Sequence, residues 1–309
     1  MNAIWQRALL LLRLLLALVV GVVVWQADGL LPALAWAALL FWFWVPPLML
    51  GTLMLRGLAP GRTTPRPAWL ALLGAALHEA WVCEWVFSWR QPWAASTEPD
   101  WLPAQSRARG VLLLHGFCCN RGLWNRWLSR LRQRGHPVMA LTLEPAFGSI
   151  DRYAPAIDQA IAALTHSAGG LAPVVVAHSM GGLAIRAWWR YAQQRSSGTH
   201  VARVITLGTP HQGTLTAELA LARNAREMRR QSAWLKQLAA DEQSRAEAMA
   251  AQFECYYSHA DQVVCPAETA LLPGAAAHHL PACGHLALLE RPEPWAALLA
   301  ALNEKSAPT

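Results

Sequence analysis

Residues 174–182 read Val-Val-Val-Ala-His-Ser-Met-Gly-Gly. The run Val174 to Ala177 has no polar alternation, which fits a strand covered on both faces. A helical pattern follows from Gly182 to Gln194, so Ser179 sits on a tight strand-to-helix turn. Such a turn exposes a hydroxyl only where its neighbours are small enough for strand and helix to cross closely. Gly181 meets that need, while Ala177 carries one methyl more than the first glycine of a G-x-S-x-G pattern. The competing reading of the motif by itself is a purely structural turn.

Outward from this stretch, further short apolar runs occur at Val111 to Leu114, Val138 to Leu143, Val201 to Leu207 and Phe253 to Tyr257, with a weaker one at Ala277 to Leu280. Helical patterns alternate with them at Leu123 to Arg134, Asp151 to Leu164 and Pro294 to Leu302. This order predicts an α/β fold with a doubly wound, mostly parallel sheet over residues 110–309. Ligands on such sheets sit at the carboxyl ends of the strands. Residues 215–250 form an Ala/Arg/Leu-rich helical insertion, read either as a cap over an acyl pocket or as a solvated face.

A serine hydroxyl is a weak nucleophile at neutral pH and needs a base, and the base needs a carboxylate to fix its tautomer. Asp261 follows the Phe253 strand, and His285 lies 24 residues further on in Ala-Cys-Gly-His, before a Leu-rich helix. The order Ser179, Asp261, His285 brings all three to one rim of the sheet, with Glu268 as the alternative acid. His259 leaves no later strand to carry a base, and His278 and His279 fall within a strand where they are expected to pack. An oxyanion requires preorganised N–H donors. His115-Gly116-Phe117 ends the first strand, so the amides of Phe117 and Met180 are the candidates. Cys118 and Cys119 are a competing pair of nucleophiles, but no turn of the required kind positions them.

Over residues 107–303 the chain resembles bacterial lipases and esterases of the α/β-hydrolase superfamily. Ala177-His178-Ser179-Met180-Gly181 looks like the elbow of small Bacillus-type lipases, in which alanine also replaces the first glycine. Gly208-Thr-Pro-His-Gln-Gly-Thr is similar to a segment near the active-site face of true lipases, with His211 ordering a loop. The resemblance implies the triad Ser179, Asp261 and His285, an oxyanion hole from Phe117 and Met180, and the supporting positions His115, Gly116, Ala177, His178 and Gly181. It implies cleavage of carboxylic esters of hydrophobic or acyl-lipid substrates through an acyl-enzyme. Thioester hydrolysis or acyl transfer with the same triad, and a non-catalytic membrane scaffold, are the alternatives. The chain departs from the pattern in the Cys118-Cys119 pair, in lacking a first hairpin, and in its N-terminal region.

That region, residues 1–93, holds little of the charge of a 309-residue chain that is 54% hydrophobic and 15% charged. Three spans are expected, at about residues 8–25, 30–55 and 68–87, followed by a Pro-rich linker at 94–109. In the first, thirteen Leu and Val contribute about 4–8 kcal/mol against roughly 3 kcal/mol for Arg13, whose side chain is expected to reach the near interface. In the second, Pro46 and Pro47 are expected to kink the helix, and the basic residues Arg56, Arg62 and Arg66 place the following loop in the cytoplasm. The third is marginal: seven Leu, Val and Phe offer about 3 kcal/mol against up to about 5 kcal/mol for Glu79 and Glu84. His78, Trp81, Trp85 and Trp89 share a stripe suited to an interfacial anchor. These readings predict a multi-pass protein of the bacterial inner membrane, its catalytic domain periplasmic or external where the third segment spans. The net charge of +7 is scattered rather than clustered, which excludes a nucleic-acid partner. The six cysteines form no C-x-x-C pair, so no metal and no cofactor are expected, while Cys255 and Cys265 flank a loop that an oxidising compartment would allow a disulfide to close.

Overall fold

A computed structural model describes residues 2–42, 47–51, 68–104, 106–195 and 198–304. Six strands form one parallel sheet: β1 Val111–Leu114, β2 Val138–Leu141, β3 Val174–His178, β4 Arg203–Leu207, β5 Phe253–Tyr257 and β6 Ala276–His279, in the order β2-β1-β3-β4-β5-β6. The chain moves outward from β1 to β2, then returns to add β3 on the other side of β1. The crevice between β1 and β3 is therefore the point where strand order reverses, the place where doubly wound sheets bind ligands. Leu114 at the end of β1 is in register with Ala177 of β3.

Both faces of the sheet are covered, as the unbroken apolar runs require. Val111 and Leu113 point into a core built with Trp124, Trp127, Leu128, Leu131, Trp295 and Leu298. Leu112 and Leu114 point the other way, toward Ile157, Ile161, Leu164, Leu183 and Trp188. The expected strand at 277–280 is the exposed edge, and His278 and His279 lie on the surface instead of packing inside. His278 stacks on Tyr256 with ring centroids 4.5 Å apart. The segment read as a linker runs along the other edge, where Trp101 and Val138 exchange two backbone hydrogen bonds of 2.9 Å in an antiparallel bridge.

In the N-terminal region, α1 (Asn2–Asp28) turns at Gly29 into α2 (Leu30–Phe41), which packs back along it. Residues 43–46 and 52–67 lie outside the described residues, and with them Pro46, the end of the expected second span and the Arg56 to Arg66 loop. A further helix, α3 (Trp69–Glu84), continues through a π-helical turn at Trp85–Arg90 into Gln91–Trp93. Among the described residues, Ala3–Asp28 and Trp69–Trp93 have the length and apolar composition of a span, but 6% of the first is buried against 44% of the second.

The second of these helices is two-faced. Ala80, Val82, Cys83 and Val86 belong to the same core as Trp124, Trp127 and Trp295, while Trp69, Leu73, Leu77, Trp81, Trp85, Trp89 and Trp93, each four residues from the last, are exposed. Its inner face also resolves the charges that make insertion marginal. Glu84 accepts both terminal nitrogens of Arg13 at 3.0 and 2.6 Å, and Arg13 donates a further bond of 2.8 Å to Ser88. Arg13 thus reaches sideways to a carboxylate rather than to an interface, since a bidentate partner inside the protein offsets its desolvation.

Removing one member of this mostly buried pair strands the other. Glu84→Ala is expected to lower unfolding stability in detergent by about 3 kcal/mol, and the double variant Arg13→Met/Glu84→Met to recover most of that loss. Chemical denaturation of the full chain measures both.

Candidate active site

Ser179 follows β3 directly and has φ of 55°, a left-handed conformation that costs a non-glycine residue about 1–3 kcal/mol. Its neighbours hold it there. The Ser179 N–H donates to the Leu207 carbonyl at 2.8 Å, continuing the β3–β4 ladder one step, and the Ser179 carbonyl accepts from Gly182 N–H at 3.0 Å and the Thr209 hydroxyl at 2.8 Å. The turn then enters α6 (Met180–Arg195), which follows α4 (Asn125–Gln133) and α5 (Ala154–Ser167) along the chain.

Two glycines make the crossing possible. A Cβ on Gly181 would lie 2.6 Å from the Leu114 carbonyl oxygen, and one on Gly116 would lie 2.8 Å from Ser179 Cβ and 3.3 Å from its Oγ. The end of β1 is thereby pressed against the serine. His115 is fully buried, donates from Nδ1 to the Gly116 carbonyl at 2.8 Å and accepts the Leu143 N–H on Nε2 at 2.8 Å. That pattern requires the neutral imidazole, and burial pushes its pKa down to about 4. The Phe117 N–H has no backbone acceptor among the described residues. Met180 is the first residue of α6, where the N–H precedes the intrahelical ladder.

Asp261 and His285 meet at the carboxyl ends of β5 and β6. His285 Nδ1 donates to Asp261 Oδ2 at 2.8 Å, and Asp261 Oδ1 accepts the N–H groups of Val263 and Val264 at 2.8 and 2.9 Å. Burial alone would lower the pKa of His285, but the Asp261 charge and hydrogen bond outweigh it and the net direction is up. With Nδ1 committed to Asp261, Nε2 is the basic nitrogen. His178, adjacent to Ser179, donates from Nε2 to the His285 carbonyl at 3.2 Å, and the two rings lie 4.6 Å apart. Burial, with His285 next, holds His178 well below the usual histidine range. No hydrogen bond joins the Ser179 hydroxyl to His285 among the described residues.

The competing candidates sit elsewhere. Glu268 faces His259, 3.9 Å away. His211 is buried against the Thr206 hydroxyl, and its carbonyl accepts Arg186, which is itself bidentate to Glu242 of the insertion. Burial pushes the Cys119 thiol up to about 12, so it is protonated at neutral pH, while Cys118 lies exposed on a turn outside the serine turn. Cys255 and Cys265 are separate buried thiols. The insertion reaches the rim of the site through Asn224, whose Nδ2 contacts the Ala146 carbonyl at 2.9 Å and the Met180 sulfur at 3.4 Å.

Two contributors were not anticipated from sequence. Thr209 ties the segment after β4 to the serine turn, and its place in Gly-Thr-Pro-His was the available signal. Glu79 of α3 accepts the N–H groups of Leu286 and Ala287 at 2.6 and 3.0 Å, directly after His285. It carried no motif, only the oddity of an acid in an apolar helix.

This sheet, with a strained serine at its switch point, defines a hydrolase fold. Residues 111–269 match the Alpha/beta hydrolase family, and the chain belongs to that family. It is similar to the lipase BlEst2 of Bacillus licheniformis in its mature form, with a TM-score of 0.54, 15% identity, and 66% of this chain and 95% of that one covered. It is also similar to lipase B of Aspergillus fumigatus, with a TM-score of 0.52 and 17% identity over 62% of this chain and 52% of that one, about half its length. At such identities the likeness is one of fold. No curated protein matches the chain by sequence.

Because a Cβ on Gly116 would lie 2.8 Å from Ser179 Cβ, Gly116→Ala is expected to displace the serine turn. Overpacking of this kind costs about 1–3 kcal/mol. A fluorophosphonate probe should label the variant far more slowly than the wild type, and thermal unfolding should show the accompanying loss of stability.

Proposed function

We propose that this protein is a serine hydrolase that cleaves carboxylic esters of hydrophobic or acyl-lipid substrates, held at a membrane by its N-terminal helices. The observation that carries the reading is the Asp261–His285 hydrogen bond beside a serine in a left-handed turn. Support for the membrane comes from α1, which exposes apolar side chains around most of its surface, and from the exposed tryptophan stripe of α3.

In this reading Ser179 Oγ attacks the ester carbonyl carbon while His285 Nε2 takes the hydroxyl proton. Asp261 holds the ring in the Nδ1–H tautomer and stabilises the imidazolium that forms. The amides of Phe117 and Met180 receive the developing oxyanion. As the tetrahedral intermediate collapses, the C–O bond to the alcohol breaks and His285 returns its proton to that leaving oxygen. Water then gives a proton to His285 and attacks the acyl-enzyme; as the second tetrahedral intermediate collapses, the bond to Ser179 Oγ breaks, His285 returns the proton to Oγ, and the acid is released.

Hydrolysis of medium-chain p-nitrophenyl esters tests the proposal. Ser179→Ala should abolish turnover and phosphonate labelling; retained turnover would reject the serine mechanism. Added alcohol separates hydrolysis from acyl transfer by its products.

Asp261→Asn should reduce kcat by about 10⁴ through loss of the productive tautomer. The base works only when neutral, so kcat/KM falls as pH drops through the His285 pKa. Because that pKa is raised, the acid limb is expected above the ordinary histidine value of 6.5, and Asp261→Asn should move the residual limb to lower pH. A pH–rate profile of both proteins measures this.

A further inference from the structure

Glu79 is the one acid of α3 whose side chain enters the active-site region. It is 1% exposed. Its Oε1 accepts the Leu286 N–H at 2.6 Å, and its Oε2 accepts the Ala287 N–H at 3.0 Å. The residue before His285 is shaped around the same carboxylate. A Cβ on Gly284 would lie 2.4 Å from Glu79 Oε2 and 2.6 Å from Glu79 Cβ, so no larger residue fits there without moving the helix or the turn. One position earlier, the Cys283 N–H donates to the Ser258 hydroxyl at 3.2 Å, and the His285 carbonyl accepts His178 Nε2. The backbone on both sides of the imidazole is therefore pinned, and on the carboxyl-terminal side Glu79 supplies both bonds.

A carboxylate suits this place better than an amide. Both of its oxygens accept, whereas a glutamine would aim its NH2 at one of two N–H donors and leave that donor unsatisfied. A negative charge on Glu79 also favours the His285 imidazolium, in the same direction as Asp261. The other titratable groups facing Glu79 are Asp261 and Cys283 of the hydrolase domain and Cys83 of its own helix, whose thiol donates to Oε1 at 3.8 Å.

We infer that Glu79 is a positioning residue for His285, fixing the turn that carries the base and adding negative charge beside it, so that the apolar N-terminal region completes the catalytic unit as well as attaching it. This role rests on the serine-hydrolase reading above. Glu79 touches no reacting atom; it acts through the backbone and the proton affinity of His285.

The test uses the full chain in detergent, assayed with p-nitrophenyl butyrate across the pH range, as wild type, Glu79→Gln, Glu79→Asp and Ser179→Ala. A base displaced by about 1 Å costs on the order of 100-fold, so Glu79→Gln is expected to lower kcat by roughly 10- to 100-fold with KM little changed. Its acid limb should move to lower pH, because a negative charge that favours the imidazolium has been removed. Glu79→Asp keeps the charge, so its limb should stay near that of the wild type while kcat recovers in part. An unchanged kcat and limb in a folded Glu79→Gln overturns the role. So does an equal loss in both variants with neither limb displaced, or failure of both to fold, since each outcome makes Glu79 structural alone. A wild type no more active than Ser179→Ala overturns the hydrolase reading and this role with it. An active wild type, an inactive Ser179→Ala and an unaltered Glu79→Gln overturn the Glu79 role alone.

Discussion

The close crossing of three chain segments at the reversal of strand order is the constraint on which the rest depends. Just beyond β1, Gly116 is pressed against Ser179, β4 supplies the carbonyl that holds the Ser179 N–H, and α6 starts at the next residue. A left-handed serine persists only where its surroundings over-determine it. Here a ladder hydrogen bond, the Thr209 hydroxyl and two positions that tolerate no side chain do so together. The strain is local, and the sheet cores on either side supply the rigidity that sustains it.

The imidazole side is built by a different device. His285 lies on a short irregular stretch after the exposed edge strand, flanked by Cys283, Leu286 and Ala287 of the buried core. Discrete hydrogen bonds orient it there: Asp261 on the ring, His178 on the carbonyl, Glu79 on the two following amides. Neutral His178 is suited to this, because a second cation 4.6 Å from the base would oppose its protonation. His115 performs the matching service for the segment after β1, again as a neutral imidazole with both nitrogens engaged.

Much of this was legible in sequence because it rests on local pattern. The Val174–His178 strand, the small residues around Ser179 and the order of Ser179, Asp261 and His285 are readable from residue type and spacing, and the parallel sheet follows from uninterrupted apolar runs. His278 and His279 were misplaced because a four-residue run does not say whether its strand is central or marginal, and here it forms the edge. Thr209 and Glu79 were not found because each acts on a residue far along the chain, 30 and about 207 positions away, with no spacing rule to connect them.

The N-terminal region shows why hydropathy summed along a helix can mislead. Several of its described polar side chains turn toward protein. Gln6 bonds to Gln91 and to the Cys118 carbonyl, Arg7 to the Pro92 carbonyl, Arg13 to Glu84, and Glu79 to the turn after His285. A polar group in an apolar setting is costly unless partnered, so these residues report which face of each helix meets the domain. Opposite them, Trp81, Trp85, Trp89 and Trp93 recur every fourth residue and remain exposed. An average over all faces treats Glu79 and Glu84 as penalties to insertion, whereas their pairing makes them the reason one face of α3 belongs to the folded core. The same residues place α1 against the loop carrying Cys118 and Asn120, one residue beyond the oxyanion candidate Phe117. The N-terminal helices and the candidate site are thus joined through a small set of buried hydrogen bonds.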